Sequence, residues 1–81
     1  MAGDSAEDAA AELVEFIAKA IVTQPEEIRV VVADDGDVLE LETAADDRGR
    51  VIGRQGRIAK AIRAVVGASS VGPHCRVEIV D

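Results

Sequence analysis

The spacing of apolar residues changes along this chain, and the change restricts the fold to the α+β class. Residues 28–33 and 38–43 alternate between apolar and polar or small side chains, as strands do, and the turn-forming sequence Asp-Asp-Gly-Asp lies between them. Before them, residues 6–22 show the three- and four-residue spacing of one helix face, with the apolar side chains Leu13, Phe16, Ile17, Ala20 and Ile21. We therefore predict a helix followed by a β-hairpin, with Phe16 in the core.

The second half of the chain predicts two short helices separated by glycines. Asp46 or Asp47 can cap the first of them, which ends where Gly53 breaks it. The second begins at residue 56 or 57 and ends where Gly67 stops it. Its apolar side chains are Ile58, Ile62, Val65 and Val66.

A last strand completes the predicted fold. Residues 76–80 alternate again, with Val77 and Ile79 inward. The order is α-β-β-α-α-β, and we expect three helices to cover one face of a three-stranded sheet. The whole chain of 81 residues fits one domain, in which residues 1–5 form a disordered tail.

Composition excludes several classes of protein. His74 and Cys75 are the only His and Cys, too few for a four-ligand zinc site or a supported catalytic set, and no internal disulfide can form. No apolar run approaches the roughly 20 residues that span a bilayer. The start of the chain lacks the basic segment of a signal peptide. We predict a cytoplasmic, non-enzymatic protein with no cofactor, metal site or membrane contact.

Charge is divided unevenly along the chain. Residues 1–47 contain fourteen acidic and two basic residues, whereas residues 48–77 contain seven basic residues and no acid. Such asymmetry indicates contact with a polyanion, although a solvated basic helix face is the alternative. Because Phe16 is the only aromatic residue, stacking of bases on aromatic side chains is not expected.

Gly53 and Gly56 form the one motif that carries binding chemistry. Backbone amides that open a helix bind phosphates, and Arg54 and Arg57 add charge beside them. Neither the P-loop nor the dinucleotide pattern fits these glycines, and a bare G-x-x-G is also common in tight turns. Bases along a flanking groove would meet a set of small and apolar side chains: Ile52, Ile58, Ala59 and Ala61.

Residues 51–63, Val-Ile-Gly-Arg-Gln-Gly-Arg-Ile-Ala-Lys-Ala-Ile-Arg, resemble the signature of KH domains. The α-β-β-α-α-β order resembles the type II arrangement, and residues 10–80 resemble the KhpA (YlqC) family of small bacterial single-KH proteins. The resemblance implies RNA binding, in which four residues contact the backbone and four border the groove. The first four are Gly53, Arg54, Gln55 and Gly56; the others are Ile52, Arg57, Ile58 and Lys60.

The resemblance also implies partners. One partner is single-stranded RNA, which this chain would hold as an RNA chaperone or adaptor. The other is either a second copy of the chain or a larger KH protein of the Jag/KhpB type. The alternative is a protein-interaction module that uses the KH surface for dimerisation or partner binding. The acidic first half of the chain favours this alternative.

Overall fold

The computed structural model describes residues 6–69 and 75–80, with side chains from residue 9 onward. The predicted tail at residues 1–5 and His74 lie outside the described residues. Within the described part, three helices and three strands follow the predicted order: α1 (Ala6–Ile21), β1 (Arg29–Ala33), β2 (Val38–Glu42), α2 (Arg48–Ile52), α3 (Arg57–Ala68) and β3 (Arg76–Val80).

The three strands form one mixed sheet with β2 in the centre. β2 pairs antiparallel with β1, so that Glu40 faces Val31, and parallel with β3, so that Glu40 also faces Glu78. A tight turn joins β1 to β2, and its Gly36 has a φ of 95°. The parallel pair needs a crossover connection, and α2 and α3 supply it.

The helices pack on one face of this sheet. Leu39, Leu41 and Val77 point toward the helices and are almost completely buried. Their partners in the core come from all three helices: Ala10, Val14, Ala18, Val51, Ile62 and Val66. The opposite face carries charged side chains of both signs, among them Arg29, Glu40 and Glu42. The prediction of a sheet covered on one face by three helices is confirmed.

Helix α1 meets the sheet through a different face from the one predicted. Ala10, Val14 and Ala18, spaced four residues apart, are fully buried, while Phe16 is 74% exposed. The prediction of Phe16 in the core is wrong. The apolar arc of α1 is wider than the surface that the sheet covers, and small alanines let the helix backbone approach the sheet.

Helix α3 continues through the predicted stop at Gly67. It ends after Ala68, where the amide and hydroxyl of Ser69 both donate to the carbonyl oxygen of Val66, at 3.2 and 2.7 Å. Gly67 keeps a helical backbone with φ outside the left-handed region. A side-chain cap therefore ends this helix, and the prediction of a glycine stop is wrong.

The buried side of α3 also differs from the predicted one. Ile62 and Val66 are buried as expected, but Ala59 is buried with them. Ile58 and Val65 are 37% and 48% exposed. The small side chain of Ala59 packs toward the core, and the two β-branched residues are left on the flank that faces α1.

Candidate nucleic-acid interface

Residues 53–56 form a tight turn between α2 and α3 in which three residues have positive φ. The φ angles are 75° at Gly53, 58° at Gln55 and 74° at Gly56. The amide of Gly53 donates to the carbonyl of Gly49 at 2.8 Å, and the amide of Gly56 donates to the carbonyl of Gly53 at 3.0 Å. The turn is thus held by its own backbone, and the side chains at its tip are free to contact a ligand.

Positive charge surrounds this turn. No acidic residue occurs between residues 48 and 77, and no side chain caps the first turn of α3, which carries the positive end of the helix dipole. Arg48 is half-buried. The other basic side chains of α2, the turn and α3 are exposed: Arg50, Arg54, Arg57, Lys60 and Arg63. This arrangement suits a phosphate-bearing ligand.

The structure brings most of the predicted site residues together. Arg54 and Gln55 are exposed at the tip of the turn, and Arg57 is exposed in the first turn of α3. Ile52, the last residue of α2, is 37% exposed beside Gly53. These residues form one continuous surface at the end of the helix pair.

Two predicted groove residues lie on different sides of α3. Ile58 faces α1, whereas Lys60 is two residues later and therefore about 200° further around the helix axis. Ala61 also faces α1, and Ala59 is only 6% exposed. The prediction that bases meet Ala59 is wrong because that side chain belongs to the core.

Helices α1 and α3 enclose an apolar groove of about 350 Å³. Phe16 forms one wall, and Ile58 and Val65 form the other. The complete lining is Leu13, Phe16, Ile17, Ile21, Ile58, Ala61, Ile62 and Val65. An exposed apolar surface of this kind on a small domain marks an interaction site.

Asp47 has a role that its residue type and its position in the sequence do not reveal. Its carboxylate is fully buried and accepts hydrogen bonds from the amide of Thr23 at 3.0 Å, the hydroxyl of Thr23 at 2.9 Å and the amide of Gln24 at 3.0 Å. Arg50 Nε lies 3.4 Å from Asp47 Oδ1. Asp47 occupies the N-cap position of α2, one of the two residues predicted there, but its side chain makes no capping hydrogen bond to the helix.

These contacts change the acidity of Asp47. The hydrogen bond from the Thr23 amide lowers the pKa of the carboxyl group below its ordinary value, and the Thr23 hydroxyl, the Gln24 amide and Arg50 act in the same direction. Burial opposes them by penalising the charged form. The donors lower the pKa by more than burial raises it, so Asp47 is ionised at neutral pH.

Arg63 connects α3 to the outer edge of the sheet. The amide of Arg76 points toward the central strand of the sheet and donates to the carbonyl of Asp37 at 2.8 Å. Because successive residues of a strand direct their backbone groups to opposite sides, the carbonyl of Val77 points away from the sheet. Arg63 Nε donates to that oxygen at 2.9 Å. Cys75 is half-buried, and its thiol donates to the carbonyl of Gly36 at 3.3 Å.

A β-α-α-β unit with a G-x-x-G turn between its helices, preceded by a helix and a strand, defines a KH domain of type II. Residues 11–80 match the family described as "KhpA/KhpB, KH domain". The chain belongs to this family. No solved structure gives a significant match to it.

Curated relatives agree with this assignment. The chain is 47% identical over 70 residues to the RNA-binding protein KhpA of Clostridium perfringens, covering 84% of this chain and 93% of the relative. It is 48% identical over 73 residues to that of Halalkalibacterium halodurans, covering 85% and 96%. It is 44% identical over 72 residues to that of Streptomyces coelicolor, covering 86% and 90%. Among the described helices, none has the length and apolar content to cross a membrane.

Proposed function

We propose that this chain is an RNA-binding protein that holds the backbone of single-stranded RNA at residues 53–56. The observation that carries the proposal is the turn itself, with positive φ at Gly53 and Gly56, exposed Arg54 and Gln55 between them, and an uncapped helix start behind them. The backbone amides and Arg54 bind phosphate oxygens without reading a base. The relatives' name, RNA-binding protein, supports this function.

The residues beside the turn extend the same contact. Ile52 and Arg57 border the bound strand, and Lys60 continues the positive surface along α3. Ile58 packs against Gly53 on the inner side of the turn and borders the groove. Because Phe16 is the only aromatic residue and lies in the groove between α1 and α3, we propose a modest RNA affinity suited to a non-catalytic chaperone or adaptor. A cytoplasmic location and a single domain over residues 1–81 stay predictions.

A pair of charge reversals tests the proposal. Arg54→Asp and Arg29→Asp change the net charge equally, but Arg29 lies on β1, the strand at the opposite edge of the sheet from β3. A charged hydrogen bond is worth about 1.5–3 kcal/mol, so Arg54→Asp should weaken binding of a single-stranded RNA by about tenfold or more. Adding Gln55→Asp should abolish it. Circular dichroism melts near that of the wild type would show that both variants are folded. An equal loss of RNA affinity in Arg54→Asp and Arg29→Asp would then refute binding at the turn.

We propose further that a second copy of this chain covers the apolar groove between α1 and α3. Phe16 at 74% exposure and Val65 at 48% exposure are costly to leave in water. A two-fold axis through the groove would place α1 of one copy against α3 of the other. The exposed flank of α1 beside Phe16 carries Glu12, Glu15 and Lys19, with a net charge of −1, and α3 carries Arg57 beside Ile58 with no acid along its length. The two flanks are complementary in charge, which favours a self-complementary dimer.

Two valines provide the test of this dimer. Val65 lines the groove, and Val31 is exposed to a similar extent, 38%, on β1 outside it. Sedimentation equilibrium should show a dimer for the wild type and for Val31→Asp, and a monomer for Val65→Asp. A monomeric wild type would refute the second copy. If such a monomer formed a complex with a Jag/KhpB-type protein that Val65→Asp abolished, the groove would be assigned to that partner.

A further inference from the structure

Of the charged side chains that the structure describes, that of Asp47 is the one that is completely buried. Burying a carboxylate is costly unless donors replace its water. Asp47 has such donors in Thr23 and Gln24, which lie 24 and 23 residues earlier in the chain. The contact therefore joins two distant segments, and it is not a local helix cap.

The segments that it joins are the connection after α1 and the start of α2. Thr23 and Gln24 follow the end of α1, and Asp47 directly precedes α2, whose Val51 is fully buried. α2 has only five residues, and it ends where the turn at residues 53–56 begins. A helix of little more than one turn has little stability of its own, so its orientation depends on such contacts.

We infer that Asp47 is a positioning residue for the RNA-binding turn. Its three hydrogen bonds fix the start of α2 against the end of α1, and its ion pair with Arg50 sets the direction of a guanidinium that is 58% exposed on the basic surface. Through α2 they set where Gly53 leaves the helix. This inference rests on the proposed function of the turn.

Simple electrostatics predicts the opposite effect from positioning. A carboxylate beside a basic surface weakens the field that attracts phosphate, so its removal alone should tighten RNA binding. If Asp47 positions the turn, its removal should weaken binding although the local charge becomes more positive. The sign of the change separates the two roles.

Asp46 provides a matched control for this sign. It precedes Asp47 in the chain and carries the same charge, but it is exposed. Asp46→Asn should bind single-stranded RNA as tightly as the wild type or more tightly. Coupling between connected sites is typically worth fivefold or more, so Asp47→Asn should bind about fivefold or more weakly. Affinities are measured by fluorescence anisotropy at a temperature where melts show both variants fully folded.

Thr23→Val provides a second variant in case Asp47→Asn does not fold. It removes the hydroxyl donor and leaves the two amide donors to Asp47. It should weaken RNA binding in the same direction, and the NMR amide signals of Gly53 and Gly56 should shift although both lie far from residue 23 in the chain. A stability loss without any movement of the turn would leave those signals in place.

The outcomes separate this inference from the proposed function. If Arg54→Asp does not weaken RNA binding, the function assigned to the turn is wrong. If Arg54→Asp weakens binding but folded Asp47→Asn binds as tightly as Asp46→Asn, only the role of Asp47 is overturned. When Asp47→Asn is unfolded, Thr23→Val with wild-type affinity and unshifted Gly53 and Gly56 signals overturns that role.

Discussion

Gly53 lies directly against Ile58, with no room between them for a side chain. A Cβ atom on Gly53 would lie 2.8 Å from the backbone nitrogen of Ile58 and 2.9 Å from its Cβ. Gly53 also has φ 75° and ψ 169°, a region that essentially only glycine occupies. The same Ile58 lines the apolar groove, so the turn and the groove share a wall.

Gly53→Ala should therefore destabilise the protein more than Gly56→Ala. Gly56 has φ 74° but nothing within 4 Å of a Cβ, so alanine there meets only the left-handed backbone penalty of about 1–2 kcal/mol. Alanine at residue 53 adds a collision with backbone, and we expect a loss of more than about 2 kcal/mol. Urea unfolding measures the free energy of unfolding of both variants. An equal decrease in the two would contradict the close packing of Gly53 on Ile58.

Gly67→Ala should stabilise the protein. Gly67 is exposed within the last turn of α3, its φ is not positive, and a Cβ there meets nothing within 4 Å. Alanine reduces the entropy of the unfolded chain and favours helix, which is worth about 0.4–1 kcal/mol. A higher urea midpoint with an unchanged slope is the expected result. A lower midpoint would indicate that α3 ends at Gly67 after all.

The stability of the protein should fall in acid through Asp47. Because its pKa is below the ordinary value of 3.8 in the folded state, the unfolded chain binds a proton more readily than the folded chain. The stabilisation is fully present above that ordinary value and is lost as the pH falls through the folded-state pKa. The difference in unfolding free energy between wild type and Asp47→Asn should thus be constant near neutral pH and shrink below about pH 4. A difference that is the same at every pH would contradict the assignment.

Local signals in the sequence were sufficient to predict the order of the elements. Alternation placed Val77 and Ile79 on the inner face of the last strand, and Gly53 broke the helix where φ is positive. Both signals act within a few residues, as turn and strand preferences do. They were enough to place Arg54 and Gln55 at the tip of an exposed turn.

The failures involve contacts between distant residues. The periodicity of α1 shows an apolar arc but not which part of it the sheet covers, so it predicts a buried Phe16 where the structure leaves that side chain exposed. Asp47 is a good helix cap by residue type, yet its donors are more than 20 residues away. Gly67 shows that a glycine near a helix end does not stop the helix when Ser69 supplies a better cap.

The salt dependence of RNA affinity distinguishes binding at residues 53–56 from binding elsewhere on the protein, because each phosphate contact to a single strand contributes about 0.7 to the slope of log Kd against log salt. The wild type should show a clear slope, Arg54→Gln should reduce it by about 0.7, and Arg29→Gln should leave it unchanged. A slope that Arg54→Gln does not alter, or that Arg29→Gln alters equally, would contradict RNA binding at residues 53–56.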